Sequence, residues 1–263
     1  MESVLLQADQ LPQWTALAPA LALAVTGLLL VAVDSIDPDD SRPALLAGIA
    51  TVGSLASLGL AGWFLSAGTG QPSTNGAIAL FGDALVVDGM ALFFQALFAS
   101  VTALVVVASY DYLSDHPHQA EFYSLVLFAA TGMALMAAAN SLAVAFIALE
   151  LASLPSYALV AFLKRDAGSV EAGLKYFLIG ALSSSVFAFG ISLVYAATGS
   201  LLLPDVYEAL AGGTEGLTGV AAVGILMVAG GFAFKTASVP FHFWAPEAYE
   251  GAPAPVSAFL SSA

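Results

Sequence analysis

The chain has no cysteine, which removes disulfides, thiolate metal ligands and cysteine nucleophiles from its chemistry. Positive charge is almost as scarce. Five bases, Arg42, Lys164, Arg165, Lys175 and Lys235, stand against 19 acids, for a net charge of −14. A nucleic-acid partner needs the opposite balance, so that class is excluded. Charge of either sign makes up only 9% of the 263 residues, where a soluble domain carries about 25%. Phosphate cradles, dinucleotide fingerprints and nucleophile elbows are missing as well.

What is present is apolar sequence: 60% of residues are hydrophobic and the mean hydropathy is +0.92. A helix needs about 20 mostly apolar residues to cross a bilayer. Runs at 13–33, 44–66, 85–109, 121–139, 141–163, 172–197 and 218–244 satisfy this, and an eighth begins near 253. They are too long, and too rich in Ala and Leu, for barrel strands of about 10 residues. The expected fold is therefore all-α, a polytopic transmembrane helical bundle. The opening "MESVLLQADQLPQW" carries acid and no positive n-region, so the first run reads as a span rather than a cleaved signal.

Arg42 lies between the first and second spans, and Lys164 and Arg165 between the fifth and sixth. Counting crossings puts both loops on one side, and the positive-inside rule makes that side cytoplasmic and the N-terminus external. The acids collect between the spans, as in "DSIDPDDSR" (34–42) and "PDVYEALAGGTEG" (204–216). Such loops fit a salt-loving prokaryote, or simply loops kept soluble by the least demanding means.

A few charges fall inside the apolar runs. Glu150, in "AVAFIALELASLPSYALV", lies about nine residues into its span, roughly 14 Å deep. A charge there costs roughly 2.5–3.5 kcal/mol on insertion scales and usually has a task. The bland alternative is a protonated carboxyl that glues helices together. Lys235 sits in "GGFAFKTASVPFHFW", residues 230–244. Pro240 has no N–H to offer the carbonyl four residues earlier, so the seventh helix should break just after the lysine. Irregular backbone at that depth needs protein or a water-filled cavity around it. A snorkelling side chain is the alternative. Pro155, five residues after Glu150, marks a kink near the second buried charge.

Lys175 follows Glu171 by four residues, the favourable order for a helical ion pair. The pair reads equally well as interfacial structure or as a relay. His242 follows the break and reads as a packed histidine. His116 and His118, with Asp115, fall in a loop and read as solvated, a weak surface metal site being the alternative.

The stretches "LELASLPSYALVAFLKRDAGSVEAGLKYFLIGALSSSVFAFGISLVYAATGS" and "GFAFKTASVPFHFWAPEAYEGAPAPVSAFLSSA" resemble the antiporter-like subunits of respiratory complex I, and "PEAYEGAPAPVSAFLS" favours the subunit-N branch. The resemblance is dense from about Glu121 onward and looser before it. It implies residues 1–120 as three N-terminal helices and 121–263 as the first antiporter-like repeat, helices 4–8, with the eighth incomplete. About eight helices of a fourteen-helix fold with two inverted repeats would be present, and the chain is expected to be the N-terminal part of a longer protein. The seventh helix is discontinuous in that family. Its proton route uses a glutamate on the fifth helix and lysines on the sixth and seventh, which match Glu150, Lys175 and Lys235. Its Glu–Lys pair would correspond to Glu150 with Lys235 or a close neighbour. Glu171 and His242 are secondary candidates.

The function implied is a membrane subunit of an NADH (or other donor)–quinone oxidoreductase that couples electron transfer to proton translocation. No cofactor is expected in this chain. Flavin and iron–sulfur clusters are expected in partner subunits, with quinone bound elsewhere in the complex. The partners implied are other antiporter-like and small helical membrane subunits, a peripheral redox arm and the lipid of a prokaryotic plasma membrane. The alternative is a subunit of a multi-subunit cation/proton antiporter. A scaffold whose charges only hold helices together is the third reading.

Overall fold

The computed structural model describes residues 12–36, 43–73, 76–113, 116–162, 167–214 and 216–262. Seven long apolar helices form the body: α1 (Ala18–Ile36), α2 (Pro43–Ser66), α3 (Gly89–Ala108), α5 (Gln119–Met136), α6 (Leu142–Val160), α7 (Ala167–Thr198) and α9 (Thr218–Lys235). Each is long and apolar enough to cross a membrane, α1 together with the 3-10 turn Gln13–Leu17 that leads into it. Shorter helices, α4 (Tyr110–Leu113), α8 (Leu203–Gly212), α10 (Trp244–Gly251) and α11 (Ala254–Ser262), complete the set. The bases that set the orientation expectation, Arg42, Lys164 and Arg165, lie outside the described residues, as does Asp115.

The spans are helical because every backbone group in hydrocarbon must be satisfied internally, and several of their hydroxyls turn back onto carbonyls four residues earlier rather than facing lipid. Ser124, Thr131 and Ser156 do this at 2.7–2.8 Å. Pro155 lies inside α6 without ending it, and the helix runs on to Val160. Small residues then let the rods close up. A Cβ on Gly132 of α5 would stand 2.3 Å from the backbone nitrogen of Ala152 on α6. Gly190 of α7 and Gly224 of α9 likewise meet backbone to backbone, at 2.8–2.9 Å from a Cβ built on either. α5 is the most enclosed span and α9 the least. One core cluster runs through the molecule, with Leu23, Val106, Leu127, Tyr157, Trp244 and Phe259 among its members.

The apolar run expected to be helical from residue 85 begins differently. Leu85–Val87 is a strand, antiparallel to Ile78–Leu80. Phe81, Gly82 and Asp83 all adopt positive φ in the turn between them. The helix starts only at Gly89, where the Asp88 carboxylate accepts the Ala91 N–H at 2.7 Å. The apolar side chains of that stretch are used by a hairpin, which docks on the α5–α6 connection through the Val86 N–H to the Ala138 carbonyl at 2.8 Å.

Candidate functional site

The seventh span ends at Lys235, as Pro240 foretold, but the ending is built by the residues between them. Ala237 adopts the left-handed conformation at φ 48°. The Ser238 N–H then bonds the Ala233 carbonyl at 2.8 Å, and the Ala237 N–H bonds the Phe234 carbonyl at 3.0 Å. This is a Schellman end, and its usual occupant at the left-handed position is glycine. Alanine there costs about 1–2 kcal/mol. Beyond it come the cis peptide Val239–Pro240, a 3-10 turn at Phe241–Phe243 and α10. The indole N–H of the buried Trp244 reaches back to the Phe234 carbonyl at 2.9 Å, capping the broken helix from its far side.

Lys235 is half-buried at this end. Its ammonium donates to the Tyr157 hydroxyl at 2.5 Å and lies 4.7 Å from the centre of the same ring. The last turn of a helix carries partial negative charge that favours a cation. Tyr157 belongs to α6, where Glu150, Ser153 and Tyr157 recur at helical spacing on one face. Glu150 is the ninth of the 19 residues of that helix, and one of its carboxylate oxygens accepts from Ser184 of α7 at 2.5 Å. Glu150 and Lys235 therefore do not meet as an ion pair among the described residues. Tyr157 stands between them, two turns or about 10 Å along the helix from Glu150.

Lys175 lies at a second cluster. It bonds Glu171 at 2.7 Å, the pair its spacing predicted, and also Glu247 of α10 at 2.9 Å. All three side chains are about half exposed, in a polar cleft of about 340 Å³ that Glu250 also lines. Tyr176, next to Lys175 in sequence, packs edge-on against Tyr157 at 4.5 Å and stacks on Trp244 at 4.3 Å. An aromatic layer thus separates the two lysines. His242 is exposed on the 3-10 turn rather than packed. His118 pairs with Glu121 at 2.9 Å, and its ring lies 5.7 Å from that of His116. No group of three His, Asp or Glu that could hold a metal ion occurs among the described residues.

Tyr157, Ser184 and Glu247 belong to this site and were not singled out from the sequence. The first two become visible only once α6 and α7 are laid antiparallel. The third signals itself only weakly, as an acid just past the break.

Comparison with known proteins gives this geometry a family. Residues 139–263 match the family described as "NADH:quinone oxidoreductase/Mrp antiporter, TM". The chain is 39% identical over 253 residues to the F(420)H(2) dehydrogenase subunit N of Methanosarcina mazei, covering 94% of this chain and 49% of the relative. It is 38% identical to the NADH-quinone oxidoreductase subunit N of Moorella thermoacetica, covering 91% and 48%. A chain of respiratory complex I from Thermus thermophilus with bound aureothin superposes with TM-score 0.74 at 32% identity, covering 93% of this chain and 50% of that one. A chain of the Mrp complex from Dietzia sp. DQ12-45-1b shares the fold, with TM-score 0.75 at 21% identity. The chain spans about half the length of the curated relatives it matches. Residues 139–263, which hold Glu150, Lys175, Lys235 and the helix break, are the part of the chain that matches the NADH:quinone oxidoreductase/Mrp antiporter transmembrane family.

Proposed function

We propose that the chain is a membrane subunit of a complex I-like donor–quinone oxidoreductase, and that Glu150, Lys175 and Lys235 move protons through its part of the membrane. The observation that carries the reading is Lys235, a half-buried ammonium at a helix end formed inside an apolar run. It is held by Tyr157 on the helix face that also presents Glu150. Charged groups at membrane depth mark ion and proton pathways, and a broken helix beside them is a transporter device. Glu171 and His242 are secondary members. In this reading residues 1–120 support a first antiporter-like repeat at 121–263. Flavin and iron–sulfur clusters reside in a peripheral arm, quinone binds in another subunit, and the N-terminus faces outward from a prokaryotic plasma membrane.

The test uses the complex purified from native membranes in mild detergent and assayed for iron and acid-labile sulfide. Stoichiometric iron–sulfur supports the oxidoreductase. An iron-free assembly of similar chains would replace it with a cation/proton antiporter. In proteoliposomes, Lys235→Ala or Glu150→Gln should cut protons moved per electron in a fully assembled complex. An unchanged ratio rejects the residue assignment.

A further inference from the structure

Tyr157 is held with unusual care for a side chain that the reading above leaves without a task. On one side, α7 gives up a side chain to make room for it. A Cβ at Gly180 would stand 2.2 Å from the Tyr157 hydroxyl oxygen and 2.4 Å from the ring carbon that bears it. On a second side, Tyr176 packs edge-on at 4.5 Å. On the third, the hydroxyl takes the Lys235 N–H at 2.5 Å. The residue is 5% exposed, so the phenol has little freedom to turn elsewhere. Gly180 and Ser184 are one turn apart on α7. The same stripe of that helix therefore houses the Tyr157 hydroxyl and donates to the Glu150 carboxylate.

A phenol, like any hydroxyl, can accept from an ammonium and then, once the lysine is neutral, donate to the amine from the same atom, and the rigid ring lets it do so without changing place. We propose that Tyr157, seated against Gly180, is a positioning residue that fixes the Lys235 amine toward Glu150 and serves as the first stop for its proton. The step needs no electron. A proton leaving Lys235 lands on the phenol oxygen as the phenol's own proton departs through water toward the Glu150 carboxylate, and Tyr157 ends as it began. Run backwards, the same exchange recharges Lys235. The proposal rests on the assignment of Lys235 to proton movement, and the test separates the two.

Three variants are compared in the whole complex, reconstituted in liposomes and checked for subunit content: Lys235→Ala, Tyr157→Phe, and Tyr157 replaced by a fluorinated tyrosine of greater acidity. Losing a hydrogen bond to a charged group should slow proton movement about ten- to a hundredfold in Tyr157→Phe, with electron transfer in the presence of an uncoupler kept. The fluorinated residue keeps the ring and the hydroxyl, and with its fluorine on the ring edge turned away from Gly180 a merely structural phenol would leave it indistinguishable from the parent. A shifted pumping rate there supports the relay. If Lys235→Ala abolishes pumping while Tyr157→Phe and the fluorinated form both match the parent, the inference is overturned and the function stands. If Lys235→Ala changes nothing, the assignment beneath it fails. Should Tyr157→Phe not assemble, the fluorinated form alone decides.

Discussion

Trp244 donates its indole N–H to the carbonyl oxygen of Phe234, ten residues earlier, across the gap that separates α9 from α10. Both side chains are buried, and the Trp244 ring lies flat on Tyr176 at 4.3 Å with 9° between the planes. The Phe234 carbonyl also accepts from the Ala237 N–H, so losing the indole leaves it one partner. Trp244→Phe should therefore lower stability by only about 1 kcal/mol, whereas Trp244→Ala should cost about 3–5 kcal/mol through lost packing. Thermal unfolding of the complex carrying each variant checks the order. Equal losses would mean that the N–H, not the ring, holds the two half-helices together.

The Ser184 hydroxyl is the donor that α7 offers Glu150. Ser184→Ala should reduce protons pumped per electron by less than Glu150→Gln does, since the carboxylate remains. Ser184→Thr, which keeps the hydroxyl, should recover the parent ratio. A Ser184→Ala complex that pumps like the parent would make the serine a bystander.

At the cleft, Lys175 sits between Glu171 and Glu247, so removing it alone sets two carboxylates against each other. Lys175→Met should impair assembly more than the triple change Glu171→Gln, Lys175→Met, Glu247→Gln. The defect should also shrink in high salt, because these side chains are exposed enough to be screened. Blue-native gels at two ionic strengths read this out. A triple variant worse than the single one would show attraction to be more than mutual neutralisation.

The crossing of α7 and α9 offers a steric test. Gly190→Leu or Gly224→Leu must push backbones apart, where a Cβ already stands 2.8–2.9 Å from the opposing chain. A loss of about 1–3 kcal/mol is expected from overpacking alone. Gly230→Ala, on the same helix but with nothing within 4 Å of the new Cβ, should be neutral or slightly stabilising. Melting of the assembled complex distinguishes them, and equal loss at Gly230 and Gly224 would refute the close approach.

The seven spans were legible because apolar runs of this length have no other economical use, and the end of the seventh because Pro240 cannot continue a ladder. The device that makes that end was not legible. A Schellman turn announces itself through glycine, and here Ala237 takes the left-handed position. Leu85–Val87 was misread because an apolar tripeptide carries no period with which to tell strand from helix. Glu150, Lys175 and Lys235 stood out as charges in apolar runs. Tyr157 and Ser184 did not, since a tyrosine and a serine within an apolar helix are ordinary until a neighbouring helix is placed beside them. The resemblance implied a pair of Glu150 with Lys235 or a close neighbour; the structure shows Lys235 held by Tyr157 and Glu150 by Ser184.

The glycine contact between α7 and α9 has a mechanical consequence. Helices that slide past one another do so by swapping side chains between neighbouring grooves, a shear that needs interdigitating layers. Where Gly190 and Gly224 bring the backbones together the rods meet directly, and beside that contact Phe187 of α7 packs on Phe232 of α9 at 4.8 Å, so sliding would have to break both. Helices held this closely are expected to travel as one rod pair, which would pass any displacement to the short stretch 236–243, with Lys235 and Trp244 at its two ends.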